Sequence, residues 1–193
     1  NATVCYVCDN SIGEFKADLA RKRLLELNPF IQIESLPKKF DLDCAREWVS
    51  SHDLVLDCTD NFKTKFMLHD ACYFEKTPLV QASIYQQEGQ IQIFDPKKNA
   101  GCLRCLWPET PEADCTGTCV DVGVIGAVPG VLGTQQAMEA IKTLLQIETP
   151  LAHKTMFIDL FSLEMNQVLR KSDPNCPLCG ESATIKNLSS ELY

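Results

Sequence analysis

What this sequence lacks narrows its chemistry. Crossing a bilayer takes about 20 consecutive apolar residues, and the longest apolar stretches here, such as residues 122–132, stop well short. No membrane span is expected. Nor is there a cluster of Lys and Arg interleaved with aromatics, and 18 basic against 26 acidic residues leave a net charge of -8. Without a basic footprint, nucleic acid is excluded as a class of partner. The three histidines, His52, His69 and His153, follow no metal or catalytic spacing and read as surface or structural residues. No G-x-G-x-x-G phosphate loop occurs in the 193 residues, and neither does an internal repeat or a low-complexity tract. The first residues, Asn-Ala-Thr-Val-Cys-Tyr, carry no initiator Met and no charged-then-apolar signal layout. They read as a truncated start lying inside structure.

What is present suits one globular domain, because 193 residues with 45% hydrophobic content can bury a sizeable core. Residues 14–27 place Phe15, Leu19, Leu24 and Leu27 at helical spacing among charges, and Asn28-Pro29 ends the segment. Alternation of apolar and polar side chains predicts a strand over residues 30–36. A short helix follows over 43–51, then a buried strand at Leu54-Val55-Leu56, a helix over 63–74 and a strand over 78–84. Residues 90–94 pair back through a turn at Glu88-Gly89, 133–145 form a helix, and 156–160 a late strand. Strands alternating with helices predict an α/β domain with a mostly parallel sheet. Residues 101–126, rich in Cys, Pro, Gly, Asp and Thr, read as a long crossing loop, of a length that is usually functional or disordered.

Eleven cysteines are many, but four sit in two tight pairs rather than at the spread spacings of a disulfide framework, which suits a reducing cytoplasm and a metal. Cys102-Leu103-Arg104-Cys105 and Cys176-Pro177-Leu178-Cys179 are two C-x-x-C knuckles. Together they supply the four thiolates that tetrahedral Zn prefers, in a closed structural site that would staple the crossing loop to the C-terminal end. A pair of redox dithiols is the competing reading. Cys5 and Cys8 share the spacing but have no further knuckle to complete them.

At Asp57-Cys58-Thr59-Asp60-Asn61 a parallel strand ends in two carboxylates and an amide. Such a strand end is where α/β sheets bind ligands. The group would hold Mg on a triphosphate, or Asp and Asn would only cap the next helix; both readings stand. Lys16 is placed to reach a phosphate or to be a solvated charge. Cys119, in the crossing loop, is either an accessible nucleophile or an ordinary loop cysteine.

In this order the pieces resemble the ThiF/MoeB/HesA family of adenylyltransferases, bacterial relatives of the ubiquitin-activating enzymes. The carriers of the resemblance are Ile12-Gly13 with Lys16, Leu27-Asn28-Pro29, the stretch from Asp57 to Asn61, Thr77-Pro78-Leu79 and GCLRCLWP from Gly101. They continue with CVDVGVIG from Cys119, PGVLGTQQAMEAIK from Pro129 and CPLCG from Cys176. The resemblance implies a Rossmann-like, ubiquitin-activating-enzyme-like fold over residues 1–181, N-terminally truncated and followed by a tail over 182–193. It implies ATP contacted by Lys16, Mg-ATP organised by Asp60 with Asn61 beside it, and Zn on Cys102, Cys105, Cys176 and Cys179. It further implies a catalytic or covalent role for Cys119 beside Asp60, a ubiquitin-like sulfur carrier protein as partner, and a homodimer. The reaction implied is attack of the carrier's terminal glycine carboxylate on the α-phosphate of ATP, for thiamine, molybdopterin or related biosynthesis. The family's Gly-rich loop, its ribose-binding acid and its arginine are missing, and Lys65 and His69 stand where relatives more often carry Arg and Asn. A non-catalytic relative that binds a ubiquitin-like protein is the alternative.

Overall fold

The computed structural model describes residues 12–98, 100–112 and 123–193. The chain divides into two compact units, Asn1–Phe40 and Asp41–Tyr193.

In the first unit, helix α1 spans Lys16–Leu27 and ends where Asn28 turns extended before Pro29. A residue preceding proline is driven out of the helical region, so the stop is local chemistry. The strand expected over 30–36 does not form among the described residues. Alternation alone is insufficient without a neighbouring strand to pair with. The segment is held instead by side chains of α1: Arg21 Nε donates to the Ile33 carbonyl at 2.8 Å, and Ser35 Oγ donates to the Asp18 carboxylate.

The second unit is a five-stranded sheet in the order β1-β2-β3-β4-β5, formed by Val55–Asp57, Leu79–Tyr85, Glu88–Phe94, Lys154–Asp159 and Glu164–Leu169. Helices α2 (Leu42–Ser50), α3 (Phe62–Glu75), the single turn α4 (Leu103–Leu106) and α5 (Ala127–Leu144) surround it. The α/β class is as expected, but the mostly parallel sheet is not. Among the described strands, β1 and β2 pair parallel and the other three pairings are antiparallel. The reason lies in the connections: β1 reaches β2 through a helical crossover, whereas β2 turns into β3 through two residues, too few to bring a strand back parallel. That turn is Gln86-Gln87, with Gln86 at φ 51°, not the expected Glu88-Gly89. Gly89 lies within β3, where a Cβ would come 2.8 Å from the Leu132 side chain of α5. It is glycine because a helix sits on it.

Alternation in the strands sorts the two faces of the sheet. Val80, Ile91, Ile93 and Ile158 meet Val128, Leu132 and Ala140 of α5 in the main apolar core. Gln81, Gln92 and Thr155 occupy the intervening positions. On that side Lys65 of α3 reaches the end of β1. Ala45, Val49, Phe66, Met67 and Ala71 are buried on α2 and α3. Strand β5 lies outside the expected set: all six of its residues are exposed, so no half-buried pattern marks it. Beyond the crossing loop the chain rejoins the sheet at a bridge between Val124 and Gln86.

Candidate functional site

Among the described residues, candidate functional side chains gather in two places. The first is the loop at the end of β1. Asp57 is fully buried, and its Oδ1 accepts from the Thr59 amide at 2.8 Å and the Thr59 hydroxyl at 2.7 Å. Its Oδ2 accepts from Lys65 Nζ at 3.1 Å and Gln81 Nε2 at 3.0 Å. With both oxygens taken, Asp57 cannot serve as one of two metal-binding carboxylates, which corrects the paired reading. Asp60 is exposed at the tip and accepts no hydrogen bond from any described residue, so its carboxylate is free for a cation. Asn61 caps α3, its Oδ1 accepting from the Thr64 amide at 2.9 Å. The capping role therefore belongs to Asn61, and its amide nitrogen stays open to a ligand. Lys16 lies exposed at the first position of α1, in the other unit. Cys119 lies outside the described residues, as do Cys115, Cys5 and Cys8.

The second place is a cluster of Cys102, Cys105, Cys176 and Cys179, whose sulfurs all lie within 4.8 Å of one another. The contacts are 3.8 Å between Cys102 and Cys105, 3.5 Å between Cys102 and Cys176, and 3.3 Å between Cys105 and Cys179. With zinc–sulfur bonds of about 2.3 Å, the edge of a tetrahedron is about 3.8 Å, so the set fits a zinc ion with small adjustment. Backbone geometry builds both knuckles. Gly101 adopts φ 73°, and a Cβ there would strike the Lys171 carbonyl at 2.5 Å. At Gly180 it would strike the Pro174 carbonyl at the same distance. The Asp173 amide donates to Cys105 Sγ at 3.3 Å and the Cys179 amide to Cys176 Sγ at 3.4 Å.

Four sulfurs this close cannot all be thiolates without a cation among them. Hydrogen bonding from Cys102 foremost draws Cys179 down to about 5. Burial pushes Cys105 up to about 11, and Cys102 is raised further by its hydrogen bond with Cys179 and by burial. A zinc ion would remove that conflict.

Behind the first knuckle lies a polar network that the sequence reading missed. Asp70 is buried in α3 and receives Arg104 at 2.8 Å, His69 Nδ1 at 3.0 Å and the Tyr193 hydroxyl at 2.9 Å. His69 Nε2 accepts the Leu103 amide at 3.0 Å, which requires the neutral ring with its proton on Nδ1. Burial works against the Asp70 carboxylate, but the hydrogen bonds from His69 and Arg104, with the Arg104 charge, outweigh it and hold its pKa below the ordinary value. His69 is thus a buried structural residue. The available signal was three ionisable residues, Lys65, His69 and Asp70, flanking Phe66-Met67-Leu68 in a helix whose residues 65–72 are all buried.

A profile of the ThiF family matches residues 4–178. The chain belongs to the ThiF family. A sulfur carrier protein adenylyltransferase of Thermus thermophilus is 36% identical over 181 residues, covering 92% of this chain and 67% of that protein. The SAMP-activating enzyme E1 of Haloferax volcanii is 38% identical over 174 residues, covering 90% of this chain and 64% of its own. The sulfur carrier protein ThiS adenylyltransferase of Escherichia coli is 40% identical over 167 residues, covering 86% and 65%. This ThiF-family chain thus spans about two thirds of the length of these relatives. Among solved structures, E. coli MccB superposes with a TM-score of 0.76 at 17% identity, over 92% of this chain and 53% of that one. That likeness establishes the ThiF-type fold. Among the described residues no helix is long and apolar enough to cross a membrane.

Proposed function

We propose that this chain is the metal- and carrier-handling part of an adenylyltransferase that activates the C-terminal glycine of a ubiquitin-like sulfur carrier protein. The observation that carries the reading is the free carboxylate of Asp60 on a rigid loop at the end of a parallel strand, in a chain 36–40% identical to proteins named sulfur carrier adenylyltransferases. In the reaction, a carboxylate oxygen of the carrier bonds to the α-phosphorus of ATP as the bond to the β-phosphate oxygen breaks. Pyrophosphate leaves and an acyl-adenylate remains. No proton need move, so catalysis is positioning and charge neutralisation. Asp60 would hold Mg, which supplies neutralisation of phosphate charge, with the Asn61 amide nitrogen beside it and Lys16 offsetting further charge on the phosphates. An MccB structure was obtained with ATP, which supports the same ligand here.

Cys102, Cys105, Cys176 and Cys179 would hold zinc in a closed, structural site with no open position for substrate. Cys119 would take the acyl group from the adenylate, its sulfur displacing AMP, or mediate sulfur transfer. The protein works as a homodimer in a reducing cytoplasm, with residues 1–181 as the adenylation domain and 182–193 as a tail. The pathway served is thiamine, molybdopterin or related sulfur-transfer biosynthesis, and a relative from Salmonella typhimurium named molybdopterin-synthase adenylyltransferase supports the second of these. The alternative is a zinc-stabilised relative that binds a ubiquitin-like protein without adenylating it. The test is mass spectrometry of a candidate carrier incubated with ATP, Mg and the protein as its source makes it. The reading expects a carrier-adenylate that disappears when the carrier's last glycine is deleted. Stable binding of the carrier with no adenylate would establish the alternative.

A further inference from the structure

Asp57 is the acidic residue of the loop that the proposed chemistry leaves unused, and its surroundings are unusually complete. Three side chains on successive strands form a ladder that ends on it. The Thr155 hydroxyl of β4 donates to Gln92 Oε1 at 2.6 Å, Gln92 Nε2 of β3 donates to Gln81 Oε1 at 3.0 Å, and Gln81 Nε2 of β2 donates to Asp57 Oδ2 at 3.0 Å. Asp57 and Gln81, and Gln81 and Gln92, are register partners, so the ladder follows the sheet directly across. All three donors point the same way, toward the carboxylate, and hydrogen bonds in such a chain polarise one another. Lys65 adds a positive charge at 3.1 Å and fixes itself to the Ala82 carbonyl at 2.9 Å. All four ladder residues are buried, Thr155 at 4% exposure being the least so.

The other oxygen of Asp57 faces the loop. It binds the Thr59 amide and hydroxyl, closing the turn that leads to Asp60. From α5, Gln136 Nε2 holds the Asp57 carbonyl at 2.9 Å. Past the tip, Asn61 is fastened to α3 by its cap and by its carbonyl, which accepts from the Lys65 amide at 3.1 Å. Asp60 is therefore exposed between two pinned neighbours, and Lys65 touches both anchors: its ammonium holds Asp57 and its amide holds Asn61.

We propose that Asp57 and Lys65 are positioning residues for Asp60, with the cross-sheet ladder aiming the Asp57 carboxylate so that the Asp60 carboxylate is held where it meets the cation on a nucleotide. This rests on the reading of Asp60 as the Mg-holding residue. A group that must meet a metal on a triphosphate gains from a rigid approach, since small displacements from the productive geometry are costly.

The experiment is pyrophosphate–ATP exchange with the carrier, titrated with Mg, in the protein as its source makes it. Asp60→Asn tests the underlying reading: exchange equal to wild type would remove that reading and this proposal with it. With that reading standing, Lys65→Met is expected to raise the Mg concentration for half-saturation about tenfold while the rate at saturating Mg falls less than threefold. A merely structural role would lower the folded fraction, reducing the saturated rate without moving the half-saturation point. That second pattern overturns the proposal. Should Lys65→Met fail to fold, Thr59→Val decides, because it removes only the hydroxyl bond from a half-buried loop position. It is expected to raise the Mg half-saturation at least threefold, and an unchanged value refutes the positioning role.

Discussion

Replacing Cys176 with Ser isolates the worth of the four-sulfur cluster. Cys176 is 1% exposed, and its sulfur lies 3.5 Å from that of Cys102, a residue 74 positions earlier in the chain. A cross-link over that separation removes loop-closure entropy from the unfolded chain worth about 4.5 kcal/mol by the relation used for disulfides. Serine leaves a buried hydroxyl that is a poor ligand for zinc, so most of this is lost, and for a chain of this size the melting temperature should fall by about 8–16 °C. Zinc content by elemental analysis and a thermal melt on the same sample give both readouts. Cys58→Ser is the control, since Cys58 is not part of the cluster, and should keep one zinc per chain. Full zinc occupancy with an unchanged melt in Cys176→Ser would refute the stapling argument.

Asp70→Asn should cost about 3–5 kcal/mol at neutral pH, because it leaves the Arg104 guanidinium buried without its anion. Since the folded-state pKa of Asp70 lies below its ordinary value, its stabilisation is present above about pH 4 and is lost as pH falls through the folded value. The difference between variant and wild type in urea denaturation should shrink toward zero on that acid limb, and a pH-independent difference would contradict the charge argument. Gly89→Ala should cost about 1–3 kcal/mol, because the new methyl meets Leu132 at 2.8 Å. Combined with Leu132→Ala, which removes the clashing atoms, it should cost less than the sum of the two by about 1 kcal/mol. Simple additivity in a denaturation cycle would show that the close approach is not what requires glycine.

Local signals make much of this fold readable from the chain alone. Residues 14–27 and 63–74 carry helical periodicity and helix ends, and the two C-x-x-C spacings mark the four cysteines that the fold gathers into one cluster. The failures have a common cause, which is that neighbours in space are invisible along the chain. Residues 30–36 alternate like a strand but have no described partner strand, while β5 pairs well yet is exposed at every position. Gly89 looks like a turn residue because the helix lying on it comes from 43 residues further on. Gln81 and Gln92 look like the wet side of half-buried strands, since a buried polar ladder and a solvated face show the same alternation. In the same way, Asp57 and Asp60 are equivalent acids on paper, and only burial separates the one that anchors the loop from the one left open.

The central claim is that Asp60 serves nucleotide chemistry on a carrier's carboxylate. Its most direct test is incorporation of labelled pyrophosphate into ATP by the protein as its source makes it, with and without Mg and a ubiquitin-like carrier, for wild type and Asp60→Asn. The account predicts exchange that requires both Mg and an intact carrier C-terminus and that falls at least a hundredfold in Asp60→Asn, with zinc content and melting temperature unchanged. Exchange that persists in Asp60→Asn, or that needs no carrier, would contradict it.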